Sequence, residues 1–320
     1  MTSETVQRGA RGESTGDQAR TFDLDAGRRA FIRNLGLGAA GAAALGTASI
    51  GPAEAQAIKQ PEGDGTGITD ADILNFALNL EYVEAEFYLR AAFGRGLTDG
   101  DITGDGFGGR DQLGPVRGGR QVRFETNTIR LYAEEIARDE EAHVRFLRGA
   151  LGSARVARPT LDIGGAFTAL AREAGLIGSN QDFDAYANEN NFLLAAFIFE
   201  DVGVTAYKGA APLIQDRGIL EAAAGLLAVE AYHAANIRSV LFSRGLFGQT
   251  NDISDLRDRL DGSDDRDQDI GGNDRANIAP TDNNGLAFSR TPRQVLNIVY
   301  FGVDRGAGGF FPDSFNGNIR

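Results

Sequence analysis

The chain contains two histidines, and each stands three residues after a glutamate: Glu140-Glu141-Ala142-His143 and Glu230-Ala231-Tyr232-His233. Residues three apart on an α-helix share one face. Each run therefore presents a carboxylate and an imidazole side by side. Both pairs interrupt an apolar seam. One seam reads Ile129, Ala133, Ile136, Glu140, His143, Leu147, and the other Ile219, Ala223, Leu226, Glu230, His233, Ile237, Val240. This spacing predicts two amphipathic helices whose inner faces each carry one acid and one imidazole. A carboxylate on a core face is costly unless something neutralises it. Two seams broken in the same way predict a shared ligand, and two facing Glu-x-x-His pairs suit a pair of metal ions. The simpler alternative is a core histidine satisfied by its own glutamate.

Two further helices supply carboxylates. The segment from Thr69 to Phe93 has two inward lines, Leu74, Leu78, Glu81, Ala85, Tyr88 and Ile73, Ala77, Leu80, Glu84, Phe87, with Glu86 off both. The segment from Asp182 to Ala210 has the line Phe192, Ala196, Phe199, Glu200, Gly203, Tyr207, from which Asp201 turns away. Tyr88 follows Glu81 at the interval at which Tyr207 follows Glu200, and each such helix is followed by one with Glu-x-x-His. The chain thus reads as two copies of a helix pair. That symmetry selects Glu81 over Glu84 as the ligand. Glu84 stays a candidate for a supporting position or for exchange with a ligand carboxylate.

The second helix is predicted over 123–151 and the fourth over 214–244, ending at Gly245. Between the second and third lies a long connection with a short helical piece over 166–175. Such a crossover is what a bundle needs when those two helices run parallel. The fold class is therefore all-α: a four-helix bundle within 58–250 and a loop-rich C-terminal extension over 251–320. Residues 251–284 are rich in Asp, Asn and Gly without an apolar period and read as loop. Residues 291–301 read as a short amphipathic helix with Pro292 at its first position. Gly309-Phe-Phe-Pro-Asp313 is apolar and is expected to dock on the bundle.

There is no cysteine among the 320 residues, which excludes thiolate zinc sites and iron–sulfur clusters and leaves carboxylate and imidazole as the strong metal ligands. A net charge of −13 and a pI near 4.7 argue against nucleic acid or an anionic membrane as partner. Within residues 1–57, Gly27-Arg28-Arg29-Ala30-Phe31-Ile32-Arg33 precedes a Gly/Ala-rich apolar stretch and the small-residue sites Ala53-Glu54-Ala55 and Ala55-Gln56-Ala57. This resembles a twin-arginine export signal. It implies a periplasmic or otherwise extracytoplasmic mature protein with no stable membrane insertion after cleavage, since the apolar run is short and weak.

The runs Asn79-Leu-Glu-Tyr-Val-Glu-Ala-Glu-Phe-Tyr88 and Phe199-Glu-Asp-Val-Gly-Val-Thr-Ala-Tyr-Lys208, the two Glu-x-x-His pairs, and Gln294-Val-Leu-Asn297 with Gly309-Phe-Phe-Pro312 carry a family resemblance. Across residues 69–245 the chain resembles the ferritin-like superfamily, in particular exported bacterial ferritin-like domain proteins related to plant desiccation-related proteins. The resemblance implies a ligand set of Glu81, Glu140, His143, Glu200, Glu230 and His233 around two iron or two manganese ions. It makes Glu140 and Glu230 the bridging ligands. Which terminal glutamate pairs with which histidine is not readable at this stage. Four carboxylates balance two divalent ions, so the loaded site is nearly neutral and suits a low-dielectric core. Tyr88 and Tyr207 are candidate catalytic residues that shape the pocket or relay electrons. A di-iron pair would reduce dioxygen or peroxide, and a di-manganese pair would disproportionate peroxide. The expected function is metal oxidation or removal of peroxide or dioxygen in stress defence, with metal ions and small oxidants as partners. The alternative is a desiccation-protective structural protein with a non-catalytic bundle. The sequence leaves the oligomeric state open, a homo-oligomer included.

Overall fold

The computed structural model describes residues 67–105, 111–262 and 266–320. The export-signal reading of residues 1–57 lies outside them. Seven α-helices form among the described residues: α1 (Asp70–Phe93), α2 (Asn127–Leu151), α3 (Gly165–Glu173), α4 (Glu189–Ala210), α5 (Arg217–Ser243), α6 (Phe247–Asp261) and α7 (Pro292–Val299). Two short strands, β1 (Val116–Arg117) and β2 (Leu161–Asp162), pair in parallel.

Local chemistry sets the helix ends. Thr69 and Asp72 form a capping box at the start of α1, and Gly94 ends the helix at φ 71°. Helix α4 begins later than the apolar pattern suggested, because Asn188 caps it by accepting a hydrogen bond from the Asn191 amide at 2.9 Å. The residues just before it form a turn in which Asp184 accepts from the Tyr186 amide. Helix α2 also begins later, at Asn127. The Glu189 carboxylate accepts from the backbone amide and hydroxyl of Thr126 and so satisfies the entry to α2 from outside that helix. Asp216 caps α5 through the amides of Gly218 and Ile219.

Side-chain pairs across the bundle give the helix directions. Arg148 reaches Tyr82, while Arg95, just beyond α1, reaches Glu141, so α1 and α2 are antiparallel. Tyr88 bonds Glu200 and Tyr207 bonds Glu81, so α1 and α4 are antiparallel as well. It follows that α2 and α4 are parallel, and the long connection through α3 makes the crossover. Helices α1 and α4 are the central pair, buried on nearly every face. This explains why each carries apolar residues all round rather than a single stripe.

The C-terminal segment packs against that central pair. Phe310 sits 4.7 Å from Phe199 and Phe315 5.4 Å from Phe76, centroid to centroid. The Asn79 side-chain amide donates to the Asn316 carbonyl at 2.9 Å and accepts from the Asn316 backbone N–H at 3.0 Å. The expectation of loop throughout 251–284 is corrected by α6. Its core face is Thr250, Ile253, Leu256, Arg257 and Leu260, all buried. The buried Arg257 reads as solvated in the sequence, yet it lies between Asp201 at 3.1 Å and Asp267 at 2.5 Å. Arg238 bonds Asp201 at 2.7 Å, and Arg290 bonds Asp261 and Asp267, each at 2.6 Å. These three arginines and three aspartates fasten the extension to α4 directly beside Glu200.

Candidate metal centre

Four helices deliver the six predicted residues to one place: Glu81 from α1, Glu140 and His143 from α2, Glu200 from α4, and Glu230 and His233 from α5, each no more than 7% exposed. His143 Nδ1 lies 3.3 Å from Glu81, 3.6 Å from Glu140 and 3.5 Å from Glu230. His233 Nδ1 lies 3.1 Å from Glu140 and 3.6 Å from Glu200. The pairing left open by the sequence is thus resolved by distance, with Glu81 beside His143 and Glu200 beside His233. Glu140 turns one oxygen toward each imidazole, and the two rings sit 6.2 Å apart.

Two donors at right angles, each about 2.1 Å from one ion, lie about 3 Å apart. The spacings here approach that value. They are not hydrogen bonds. Twelve buried side-chain atoms among the described residues have no hydrogen-bond partner, and eight belong to this cluster: both imidazole Nδ1 atoms, Glu81 Oε2, Glu200 Oε2, and both oxygens of Glu140 and Glu230. A buried polar atom left unpaired is costly, so their convergence fits a metal-binding group. The donor set divides into two overlapping groups, Glu81, Glu140, His143, Glu230 and Glu140, Glu200, His233.

The electrostatics agree. Burial pushes Glu81 up to about 8 and raises Glu200 and Glu230 as well. Burial also opposes ionisation of Glu140, but the flanking His143 and His233 outweigh it and hold that carboxyl below the usual range. His233 is desolvated, yet Glu200 and Asp139 push it up to about 11, and Glu81 and its neighbours raise His143 in the same sense. The metal-free cluster therefore holds protons that cations would displace.

The Tyr88 hydroxyl donates to Glu200 Oε1 and the Tyr207 hydroxyl to Glu81 Oε1. Each tyrosine thus holds the outer oxygen of the other repeat's glutamate, leaving the inner oxygen directed at the histidine. Burial raises both phenols far above their ordinary value, so they stay neutral donors.

Asp139 and the role of Gly203 escaped the sequence reading, which kept Glu84 only as a supporting candidate. His233 Nε2 lies 3.1 Å from the Asp139 carboxylate, a long-range contact between α5 and α2. Its only sequence sign was an acid immediately before Glu140. Glu84 is buried at 4% exposure, and burial together with Glu230 raises its pKa well above the usual range. Gly203 was placed on the inward line without a role. A β-carbon there would lie 2.3 Å from Glu230 Oε2, so glycine alone leaves that carboxylate its place. A glycine inside a helix costs about 0.5–1 kcal/mol, which this fit explains. Glu86 is buried too, but Arg158 at 2.5 Å and Arg90 at 3.0 Å hold it outside the cluster.

Residues 69–243 match the sequence model of the family described as Ferritin-like domain. The chain is 34% identical over 256 residues to Desiccation-related protein PCC13-62 of Craterostigma plantagineum, across 73% of this chain and 79% of that one. It is 29% identical over 280 residues to Ferritin-like catalase Nec2 of Nesocodon mauritianus, across 80% and 87%. No solved structure gives a significant match.

Proposed function

The chain belongs to the ferritin-like domain family, and from that premise we propose that its buried cluster holds two iron or two manganese ions and uses them to remove peroxide. Glu81 and His143 would complete one position and Glu200 and His233 the other, with Glu140 and Glu230 shared. A bound pair would supply two-electron redox chemistry at neutral pH, so that two hydrogen peroxide molecules yield one dioxygen and two waters. Oxidation of the metal itself is the related reaction of the same site. The eight buried donor atoms without hydrogen-bond partners carry this reading. The name of the relative Nec2, a ferritin-like catalase, supports the peroxide assignment.

The chain's own residues have definite tasks in this reading. Tyr88 and Tyr207 fix the rotamers of the terminal carboxylates. Asp139 orients the His233 ring so that Nδ1 faces inward. The buried walls exclude bulk water and keep the carboxylates in low dielectric. The Arg28-Arg29 segment would export the folded, loaded protein.

Elemental analysis of protein from its native host, beside a His143→Ala/His233→Ala variant, tests the centre. About two iron or manganese per chain, absent from the variant, is expected, followed by oxygen evolution from peroxide. A well-folded native protein without transition metal would refute it. The likeness to a desiccation-related protein favours a second reading, a protective bundle without turnover. Unchanged protection after Glu140→Ala plus Glu230→Ala would select that reading. Undiminished export after Arg28→Lys and Arg29→Lys would remove the twin-arginine assignment.

A further inference from the structure

Helix α5 carries no charge on its outer face. From Ala222 to Ile237 its acidic and basic side chains are Glu230 and His233, and both are buried in the metal centre. Outside stand Ala224, Gly225, Ala228, Ala231 and Tyr232, all exposed. Helix α2, by contrast, exposes Glu135, Arg138 and Arg145. The outer face of α5 also carries a knob and a hole. Tyr232 is 75% exposed, more than any other large apolar side chain among the described residues. Beside it, a partly open cavity of about 110 Å³ lies between α5, α4 and the C-terminal extension. Its walls are mainly apolar, with Ala231 and Ala235 from α5, Val204 from α4, and Ile278, Pro280 and Phe288 from the extension. Gln268 and Thr281 add polar groups, and Asp201, Asp267 and Arg290 reach it from the ion-pair network already described. An enclosed cavity of about 150 Å³ holds benzene, so this recess, open on one side, takes one aromatic ring.

We propose that the outer face of α5 is the interface of a two-fold homodimer, in which the Tyr232 ring of each copy enters the cavity of the other. The occupant follows from charge and shape. A chain of net charge −13 repels its own copies wherever charged faces meet, and here neither helix presents a charge. An isologous contact has to be self-complementary, and a knob with a matching hole on one face meets that condition. Tyr232 and Ala231 lie at one level of α5, about 100° apart around the helix. Tyr232 therefore points away from its own cavity, while a two-fold axis crossing the face at that level brings it to the cavity of the second copy. The phenol suits the recess, since its ring meets apolar walls and its hydroxyl finds Gln268 or Thr281. The stripe of α5 is about 24 Å long and about 10 Å wide, roughly 240 Å², well below the roughly 800 Å² per partner of a standard interface. The extension has to supply the rest. Leu286, 56% exposed and next in sequence to the lining residue Ala287, continues the apolar rim there. The hole is thus built by the segment that lies beyond residues 69–243 of the family match.

The test is sedimentation velocity of the full chain as isolated, across the micromolar range. Twice the chain mass is expected at the upper end. Tyr232→Ala is expected to raise the dimer dissociation constant about thirtyfold, the loss typical of an aromatic anchor, and Tyr232→Glu to leave a monomer. Both should keep the metal content and the helical circular dichroism of the wild type, because so exposed a side chain holds nothing in its own copy. The chain has no cysteine, so single introduced thiols report contacts directly. In an equal mixture of Tyr232→Cys and Ala279→Cys, whose sites are the knob and the cavity wall, a short bismaleimide is expected to join the two kinds of chain faster than it joins either variant to itself. A monomer at every concentration would overturn the proposal, and slow maleimide labelling of Tyr232→Cys in that monomer would assign the face to another segment of the same chain. A dimer that persists in Tyr232→Glu would place the interface elsewhere and refute it equally. Fastest joining within Tyr232→Cys alone would set the two tyrosines against each other and rule out the knob-in-hole arrangement. None of these readouts depends on the dimetal reading.

Discussion

Replacing Gly203 by alanine separates the stability of the bundle from its capacity for metal. The new methyl carbon would sit 2.3 Å from Glu230 Oε2. Close carbon–oxygen contacts lie near 3.3 Å, so the carboxylate has to retreat by about 1 Å. Ligand distances in metal sites are defined to about 0.2 Å, so that displacement removes Glu230 from at least one ion. Disturbing a supporting group alone weakens metal binding about 10–100-fold, and losing a shared ligand is expected to reach the upper end of that range or pass it. The backbone effect has the opposite sign, since alanine is favoured over glycine in a helix interior by about 0.5–1 kcal/mol. The clashing atom ends a flexible side chain, so the metal-free protein relieves the contact cheaply. Its melting temperature should stay constant or rise by about 1–4 °C. The assay pairs calorimetry of the metal-free protein with Mn(II) competition against a chromophoric chelator. Retention of two ions per chain at wild-type affinity would refute the placement of Glu230 and with it the reasoning about residue 203.

Three other outcomes follow from the same geometry. Glu81, raised from 4.5 to about 8, and His233, raised from 6.5 to about 11, bind protons more tightly folded than unfolded. Their contributions are therefore present at the low end of each window and lost as pH rises through it, whereas Glu140, lowered, acts in the opposite sense only in acid. The metal-free melting temperature should fall between about pH 6 and pH 9, and metal loading should release protons and flatten the slope; a flat metal-free profile contradicts this. Asp139→Asn weakens the hold on the His233 ring and should lower affinity about tenfold for one ion of the pair, read as two unequal steps in a metal titration. Arg257→Met leaves Asp201 and Asp267 with one arginine each, Arg238 and Arg290. It should cost about 3 kcal/mol, the lower end for breaking a buried ion pair, and calorimetry should show a drop of about 6–12 °C. A loss within error would mean that the network sets the docking of the extension without stabilising it.

The four bundle helices were legible because their inward lines repeat at helical spacing, and the two Glu-x-x-His pairs stood out as polar breaks in apolar seams. Helix α6 was not, because its core face carries only Ile253, Leu256 and Leu260 among acidic and polar residues. Its remaining burial comes from Arg257, whose partners Asp201 and Asp267 belong to other segments. A charged residue reads as solvated until its counter-charges are in place. Helix starts were misjudged for a related reason: the caps at Asn188 and Thr126 depend on Asn191 and on Glu189 from another helix, and apolar periodicity carries neither.

At the centre, Glu81, the residue that the repeat picked out over Glu84, lies 3.3 Å from His143, yet repetition shows only what the halves share. The features that distinguish the halves break it. Glu84 faces Gly203 across the bundle where a symmetric chain would place two like residues. Asp139 stands behind His233, while its counterpart at the same distance before Glu230 is Val229, and His143 has no carboxylate behind its outer nitrogen among the described residues. A carboxylate behind an imidazole raises its basicity as a ligand. The two imidazoles are therefore held differently, His233 alone having a carboxylate at its outer nitrogen among the described residues. The two central helices therefore differ where they face each other, with Glu84 on one and, on the other, a bare glycine whose missing side chain makes room for Glu230. A duplicated helix pair is enough to assemble the donor set, and its departures from symmetry are what make the two halves of that set chemically different.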